Sequence, residues 1–331
     1  MDRDLLGVIP FLLLALFAQL YFCNANGAEG IVERIVGDVA GDIGVGVLYL
    51  ETGEGLFYNG RHHFPLASIN KLFIALKCFQ LIDAGELSLT EHMLVKKRDT
   101  RIDSGLTERF ERIGKSFDIT VADLLARMLE VSDNTAADML LRRVGGVPAV
   151  VGLLHTFGFD CISFDRSLEE MVADFVGISG VKIRSAKQFK LLSKAIRQED
   201  RMSTANQFYG DKRDTVTVRC MIEFLQKLFG GQLLSPDSTE LFLKHLSRCK
   251  TGKRRIPQGF PGAGVLHKTG TLGAVANDVG IIKLPDERGH IALAVFLNVP
   301  GISLRKREDF IAQLARGFVD YMLERSDEET F

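Results

Sequence analysis

A serine and a lysine three residues apart, Ser68 and Lys71 in the stretch ASINK, form the first pair in this chain equipped to act on a substrate. On a helix that spacing puts both side chains on one face. Burial makes an ammonium there give up its proton more readily. The amine can then take the serine proton, and the helix N-terminus favours the negative charge that develops. Ser-x-x-Lys arises by chance roughly once in a few hundred residues. Position lifts this one, because a Lys and an Asn near the start of an otherwise apolar helix need a reason. A second stretch is Ser132-Asp133-Asn134, which alone reads as a helix N-cap, since all three residue types favour that place. A third is His267-Lys268-Thr269-Gly270-Thr271, which alone reads as a polar edge strand guarded by lysine.

Elements must bring these stretches together. Residues 43–60, IGVGVLYLETGEGLFYNG, are two strand-like runs around a Gly-containing turn. FPLASINKLFIALKCFQLIDAG, 64–85, reads as one helix ending before Gly85, apolar nearly all round between Leu72 and Ile82, as in a core. DITVADLLARMLE and NTAADMLLRRV give two more helices with VSDN between them. Near the far end, 277–298 form a second hairpin turning at Pro285 to Gly289. EDFIAQLARGFVDYMLE closes as an amphipathic helix with Phe310, Leu314 and Phe318 on one face. Strands at both ends with helices between predict an α+β fold whose termini share one antiparallel sheet, with a helical domain inserted.

With 331 residues the chain can bury a sizeable core in one large domain or two interleaved ones. Its 41 Lys plus Arg against 42 Asp plus Glu leave a formal charge of -1, which gives no electrostatic reason for a nucleic-acid partner. A small molecule is the expected ligand, and a monomer the expected state. Residues 1–28 read as a secretory signal or an uncleaved N-terminal anchor: LLGVIPFLLLALFAQLYFC is followed by small and polar residues, with Ala25 and Ala28 acceptable for cleavage. The protein is therefore expected to be exported, to a periplasm or the medium. Beyond that segment lie Cys78, Cys161, Cys220 and Cys249, an even set whose spacing leaves disulfides and buried thiols equally open. Neither a HExxH helix nor a Cys/His ladder is present, so no metal is expected. No GxGxxG, P-loop or internal repeat appears either.

Taken in order, the three stretches resemble the S-x-x-K, S-D-N and K-T-G elements of the class A β-lactamase family and its penicillin-binding relatives. Further matches are FPLASINK, ITVADLLARMLEVSDNTAADMLLRRVGG, GDKRDTVTVRCM, RRIPQGFPG and HKTGTLGAVANDVGII, so the resemblance runs from about residue 40 to the C-terminus. It implies a three-layer sheet domain from 29–62 and 247–331, an inserted all-α domain over 63–246, and an active site at their junction. It implies Ser68 as nucleophile, Lys71 as its proton partner, Ser132 as relay to the leaving nitrogen, and Asn134 holding the substrate's amide side chain. Lys268, Thr269, Gly270 and Thr271 would line the carboxylate side, and the backbone N–H groups of Ser68 and Thr271 the oxyanion hole. Arg255 stands where many members keep a carboxylate-binding arginine, and otherwise reads as a surface charge. No cofactor is implied. The substrate is a β-lactam or a peptidoglycan-like peptide. The chemistry is acyl transfer through a serine ester.

One region departs from the family. There a loop carries Arg, then Glu two residues later as the deacylating base, then Asn four beyond. Here Asp165-Arg166 match the start of the loop and Arg213-Asp214-Thr215 its end, so Arg166 and Asp214 are expected to pair and close its neck. Two residues after Arg166, however, stands Leu168, and a long added stretch enlarges the loop to about 166–214. Its KQFKLLSKAIR portion reads as helix, and it can serve as a lid, a substrate determinant or a partner site. Glu170 is the expected base, with Glu169 as its alternative. Glu170 and Asp174 echo the Glu-to-Asn spacing, with a repulsion that would raise the Glu170 pKa. Against this, Ser167 and Glu170 fit a capping box, with Leu168, Met171, Val172, Phe175 and Val176 as an apolar stripe ending at Gly177. The rivals to hydrolysis of a β-lactam are a peptidase or sensor that acylates and stalls, and a hydrolase of another amide or ester.

Overall fold

The computed structural model describes residues 25–328. The expected hairpins form as β1 Asp42–Tyr49 with β2 Gly55–Tyr58, and β8 Val275–Lys283 with β9 His290–Asn298. β7 Gly264–Leu272 adds to β8. All five strands make one antiparallel sheet in the order β2-β1-β9-β8-β7, so the two ends of the chain meet where β1 pairs β9, Val45 opposite Val295. β1 and β9 are apolar almost throughout because both faces are covered. On one face lie the helices Ala25–Val36 and Leu304–Glu328, packing Ile31, Phe310, Leu314 and Phe318 into the core. On the other lies the helix Val218–Phe229. Gly44 is required on that side: a Cβ there would stand 2.4 Å from the Phe64 ring. The result is the expected three-layer α+β architecture.

The helical body fills the sequence between β3 His63–Pro65 and the helix Pro236–Ser247. Two element boundaries differ from the sequence reading. Residues 64–85 are not one helix: β3 pairs with β6 Thr215–Thr217, a 3-10 turn Ala67–Asn70 follows, and the α-helix starts only at Lys71, running to Asp83. Pro65 and Ala67 set this boundary. Ala67 adopts φ +48°, which no regular helix contains. Likewise Phe117–Thr120 is a strand, β5, paired with β4 His92–Val95. The following helix begins at Val121, capped by the Thr120 hydroxyl on the Asp123 N–H. The Lys71–Asp83 helix buries residues on all sides, among them Phe73, Cys78 and Phe79, as its composition predicts.

The loop after Arg166 holds three helices, Leu168–Val176, Ala186–Ala195 and Gln198–Tyr209. It is bracketed by a Cys161–Cys220 disulfide, while Cys78 and Cys249 are free. The expected leader falls almost wholly outside the described residues. Among those described, no helix is long and apolar enough to cross a membrane. The disulfide closes a long loop and so restricts the unfolded chain. The double replacement Cys161→Ala/Cys220→Ala is expected to lower the unfolding free energy by about 2–4 kcal/mol, read from urea titrations of the oxidised parent and the variant.

Candidate active site

Ser68 is delivered by a segment fixed from two sides. The Leu66 N–H donates to the Asp214 carbonyl at 2.8 Å, and Asn277 Nδ2 donates to the Pro65 carbonyl at 2.8 Å. β7 can come close because Gly270 has no side chain; a Cβ there would lie 2.7 Å from the Leu66 carbonyl oxygen. Lys71 then emerges as the first residue of its helix, wholly buried. Its Nζ lies 3.2 Å from Ser68 Oγ, 3.0 Å from Ser132 Oγ and 2.7 Å from Asn134 Oδ1, and it also donates to the Ser132 carbonyl. Burial first, and then the neighbouring Lys268, hold its pKa well below that of an ordinary lysine.

The second stretch caps a helix, as it reads alone, and turns its outer residues to Lys71. Asp133 is the N-cap of the helix Asn134–Arg143, accepting from the Ala136 N–H at 3.0 Å, and it also takes the Ser104 hydroxyl at 2.7 Å. Anchoring the middle residue frees those on either side. Ser132, in the left-handed region at φ +60°, turns its hydroxyl and carbonyl to Lys71. Asn134 Oδ1 meets the same amine, while its Nδ2 donates to the Ile102 carbonyl at 3.0 Å.

The third stretch forms the edge strand β7, as predicted. Lys268 points inward, donating to Ser132 Oγ at 3.0 Å and the Thr269 carbonyl at 2.8 Å, and burial lowers its pKa to about 8. Thr269 Oγ1 is 2.6 Å from Thr251 Oγ1. Arg255 is no surface charge: only 3% exposed, it donates to Thr271 Oγ1 at 2.6 Å and to the Gly270 and Asn277 carbonyls at 3.1 and 2.8 Å, with Glu308 at 3.2 Å.

The loop carboxylates separate. Glu170 is exposed and closes the capping box, its Oε2 accepting from the Ser167 N–H at 2.8 Å and the Ser167 hydroxyl at 2.7 Å. The expectation of Glu170 as the base is corrected to the capping role weighed against it. One step along the helix turns the side chain by about 100°, and it is Glu169 that points inward. Asp174 also differs from expectation, pairing with Arg166 at 2.8 Å and Arg213 at 3.3 Å. The neck closes as expected: Arg166 Nε meets Asp214 Oδ2 at 2.5 Å, and Asp214 Oδ1 accepts the Asp165 N–H at 2.7 Å.

Glu169 depends on two residues, Asp138 and Arg101, that no motif marked out. Asp138 accepts the N–H groups of Leu168 and Glu169 at 2.9 and 3.2 Å, together with Arg101 Nε at 2.7 Å. Arg101 Nη1 stands 3.1 Å from Glu169 Oε1, a charge contact lacking hydrogen-bond alignment, so that oxygen is buried without a donor. Burial raises the Glu169 pKa to about 7, against the pull of Arg101. A cavity with room for about one water molecule lies between Glu169, Asn134, Val172 and Phe189. Ser68, Lys71, Ser132, Asn134 and Lys268 thus form one bonded cluster, Thr269, Gly270, Thr271 and Arg255 line an adjoining edge, and Glu169 shares with Asn134 the lining of the small cavity. Among the described residues no group of His, Cys, Asp and Glu is arranged to hold a metal ion.

A serine bonded to a buried lysine, between a sheet from both chain ends and an inserted helical body, defines an active-site-serine enzyme fold. The chain belongs to the β-lactamase enzyme family, whose model matches residues 28–322. It is 28% identical to the extended-spectrum β-lactamase PER-1 of Pseudomonas aeruginosa, over 89% of this chain and 87% of that one. It is 29% identical to the carbapenem-hydrolysing β-lactamase KPC of Klebsiella oxytoca, over 88% and 89%. Among solved structures, the TLA-3 extended-spectrum β-lactamase superposes with a TM-score of 0.74 at 25% identity, over 91% of this chain and 100% of that one. An ancestral class A β-lactamase superposes at 0.71 and 28%, over 90% and 99%.

Because the folded state holds the Glu169 proton up to about pH 7, against 4.5 for a free glutamate, its stabilising effect is complete below about pH 4.5 and is lost as pH rises through 7. Glu169→Gln should therefore gain stability relative to the parent across that interval. Thermal melts of the two proteins at pH 4.5 and pH 8 measure it; a constant difference between them would show that Glu169 titrates normally.

Proposed function

We propose that this enzyme hydrolyses β-lactams through an acyl-enzyme on Ser68, with Glu169 activating the water that releases it. The observation that carries the reading is the buried Lys71 amine bonded at once to Ser68, Ser132 and Asn134, with a carboxylate of raised pKa beside a water-sized cavity behind Asn134. A lysine kept neutral by burial accepts the Ser68 proton as Oγ attacks the lactam carbonyl. The oxyanion is met by the Ser68 and Thr271 backbone N–H groups. Ser132, bonded to both Lys71 and Lys268, passes a proton to the departing ring nitrogen. Asn134 receives the substrate's amide side chain, and Lys268, Thr269 and Thr271 its carboxylate, with Arg255 bracing that edge from behind through Thr271 and the Gly270 carbonyl. Glu169, ionised above about pH 7, then takes a proton from water as it attacks the ester.

The same acylating cluster suits a peptidase or sensor that stalls at the ester, or a hydrolase of a different amide. Glu169 beside its cavity favours turnover. An exported monomer acting on antibiotics outside the cytoplasm fits the apolar leader in the sequence.

Incubation with a chromogenic cephalosporin, followed by absorbance and intact mass, decides among these. Sustained turnover supports hydrolysis, a persistent adduct supports the stalled enzyme, and neither would sink both. Ser68→Ala is expected to abolish both signals. Glu169→Gln should slow release of the adduct by about 10²–10⁴-fold and remove a rate that climbs through pH 7, whereas Glu170→Gln should leave release unchanged. The opposite pattern would return the role to Glu170.

A further inference from the structure

The stretch added after Arg166 contains a helix, Ala186–Ala195, whose two faces differ in kind. Lys187, Lys190, Leu191 and Lys194 stand in solvent, whereas Ala186 and Phe189, three residues apart and so on one face, are buried. Phe189 is only 6% exposed. Both buried residues line the small cavity that Glu169, Val172 and Asn134 share, so the added stretch supplies a wall of the space beside the carboxylate.

That wall is held in place from two sides. The Ala186 N–H, one of the first-turn donors that a helix leaves unpaired, is taken by Thr100 Oγ1 at 3.0 Å. Ser185 caps the same turn, accepting the Gln188 N–H at 3.2 Å, and Gln188 Oε1 accepts the Arg184 N–H at 2.7 Å. Thr100 is followed at once by Arg101, whose guanidinium reaches both Asp138 and Glu169. One short segment therefore fixes the added helix and the carboxylate together.

The geometry points to the helix Ala186–Ala195 as a cover for the deacylation step, with Phe189 as a positioning residue that keeps bulk solvent from Glu169 and leaves room for a single water. The catalytic half of this inference rests on Glu169 as the base proposed above; the exclusion of solvent does not. Leu168, Val172, Ala186 and Phe189 make the lining largely apolar, while Glu169 Oε1 is a buried acceptor without a donor. A water held there finds its acceptor in that oxygen.

The cover acts through burial and not through charge. Burial is the largest influence on Glu169, raising its pKa to about 7; Arg101 and Arg142 pull it down, and Asp138 and Glu170 push it up. Lys71 lies beyond Asn134, bonded to its Oδ1, and the lysines of the covering helix face outward. Removing the Phe189 ring would leave those charges in place and widen a space now sized for about one water.

The test reads the carboxyl group directly and the reaction separately. Protein isotope-labelled at its glutamate carboxyl carbons is titrated by NMR, the Glu169 signal being the one absent from Glu169→Gln. Phe189→Ala is expected to lower the Glu169 midpoint by at least about one pH unit, because water then reaches the carboxylate. Phe189→Leu, which keeps an apolar cover, and Leu191→Ala, on the exposed face of the same helix, should leave it in place. Should the alanine variant not fold, Phe189→Gln puts a polar chain of similar reach in the wall and should lower the midpoint likewise. An unmoved midpoint, whatever happens to thermal stability, overturns the proposal, as does an equal fall in Leu191→Ala. Release of the cephalosporin adduct is followed over the same pH range, and its midpoint should move with that of the carboxyl group. A shifted carboxyl with an unshifted release profile would overturn Glu169 as the base while the exclusion of solvent stands. A parent that forms no adduct counts against the hydrolase reading, and the NMR titration then decides the cover alone.

Discussion

A single amine buried without a counter-ion at its side organises this molecule. Lys71 is bonded to hydroxyl, carbonyl and amide oxygens, and the charge nearest to it in effect is another lysine. Desolvating an ammonium so completely costs several kcal/mol unless the group gives up its proton. The surroundings suit the neutral form: neutral partners hold it in place, and Lys268 of like sign shares the Ser132 hydroxyl. The apolar helix that follows Lys71, the cap at Asp133 and the inward turn of β7 all converge on that one nitrogen.

Holding so many groups around one atom bends the backbone. Ala67, Asp103, Ser132 and Asp214 all take positive φ without being glycine, a cost of order 1–3 kcal/mol each. Every one of them lies at the site or its neck: beside Ser68, behind Asn134, at the shared hydroxyl, and at the Arg166 pair. Hydrogen bonds from rigid elements maintain them. The Asp103 carbonyl receives the Asn134 N–H, the Asp214 carbonyl receives Leu66, and Asp133 ties the turn after Ser132 to the Ser104 segment. The apolar layers over the sheet are remote from this strain and supply the stability that tolerates it.

The bonded cluster was legible because its residues come as three local motifs, each short enough to be read without knowing the fold. Asp138 and Arg101 were not, since they meet Glu169 only in three dimensions and neither has a distinctive neighbour in sequence. The choice between the adjacent glutamates was nonetheless decidable. Ser167 and Glu170 satisfy a capping box, which commits Glu170 to the backbone and leaves Glu169 as the carboxylate with an open direction. The late start of the Lys71 helix was hidden for a different reason: Phe64, Leu66 and Ile69 continue the apolar pattern, and only Pro65 hinted that the backbone there was extended. The partnership of Cys161 with Cys220 spans 59 residues and follows from the path of the chain alone.

That disulfide lies just outside the Arg166–Asp214 pair, so the enlarged loop is enclosed by a covalent ring and, within it, an ionic one. The loop is fastened again at its far end, where Tyr209 Oη accepts the Ala274 N–H at 2.8 Å in the turn between β7 and β8. A protease that severs the backbone anywhere from Gly177 to Gly210 would therefore not release a fragment. The two pieces would stay one covalent molecule with the helix bearing Glu169 still moored, so that a nicked chain would remain a complete protein until a reductant reached Cys161.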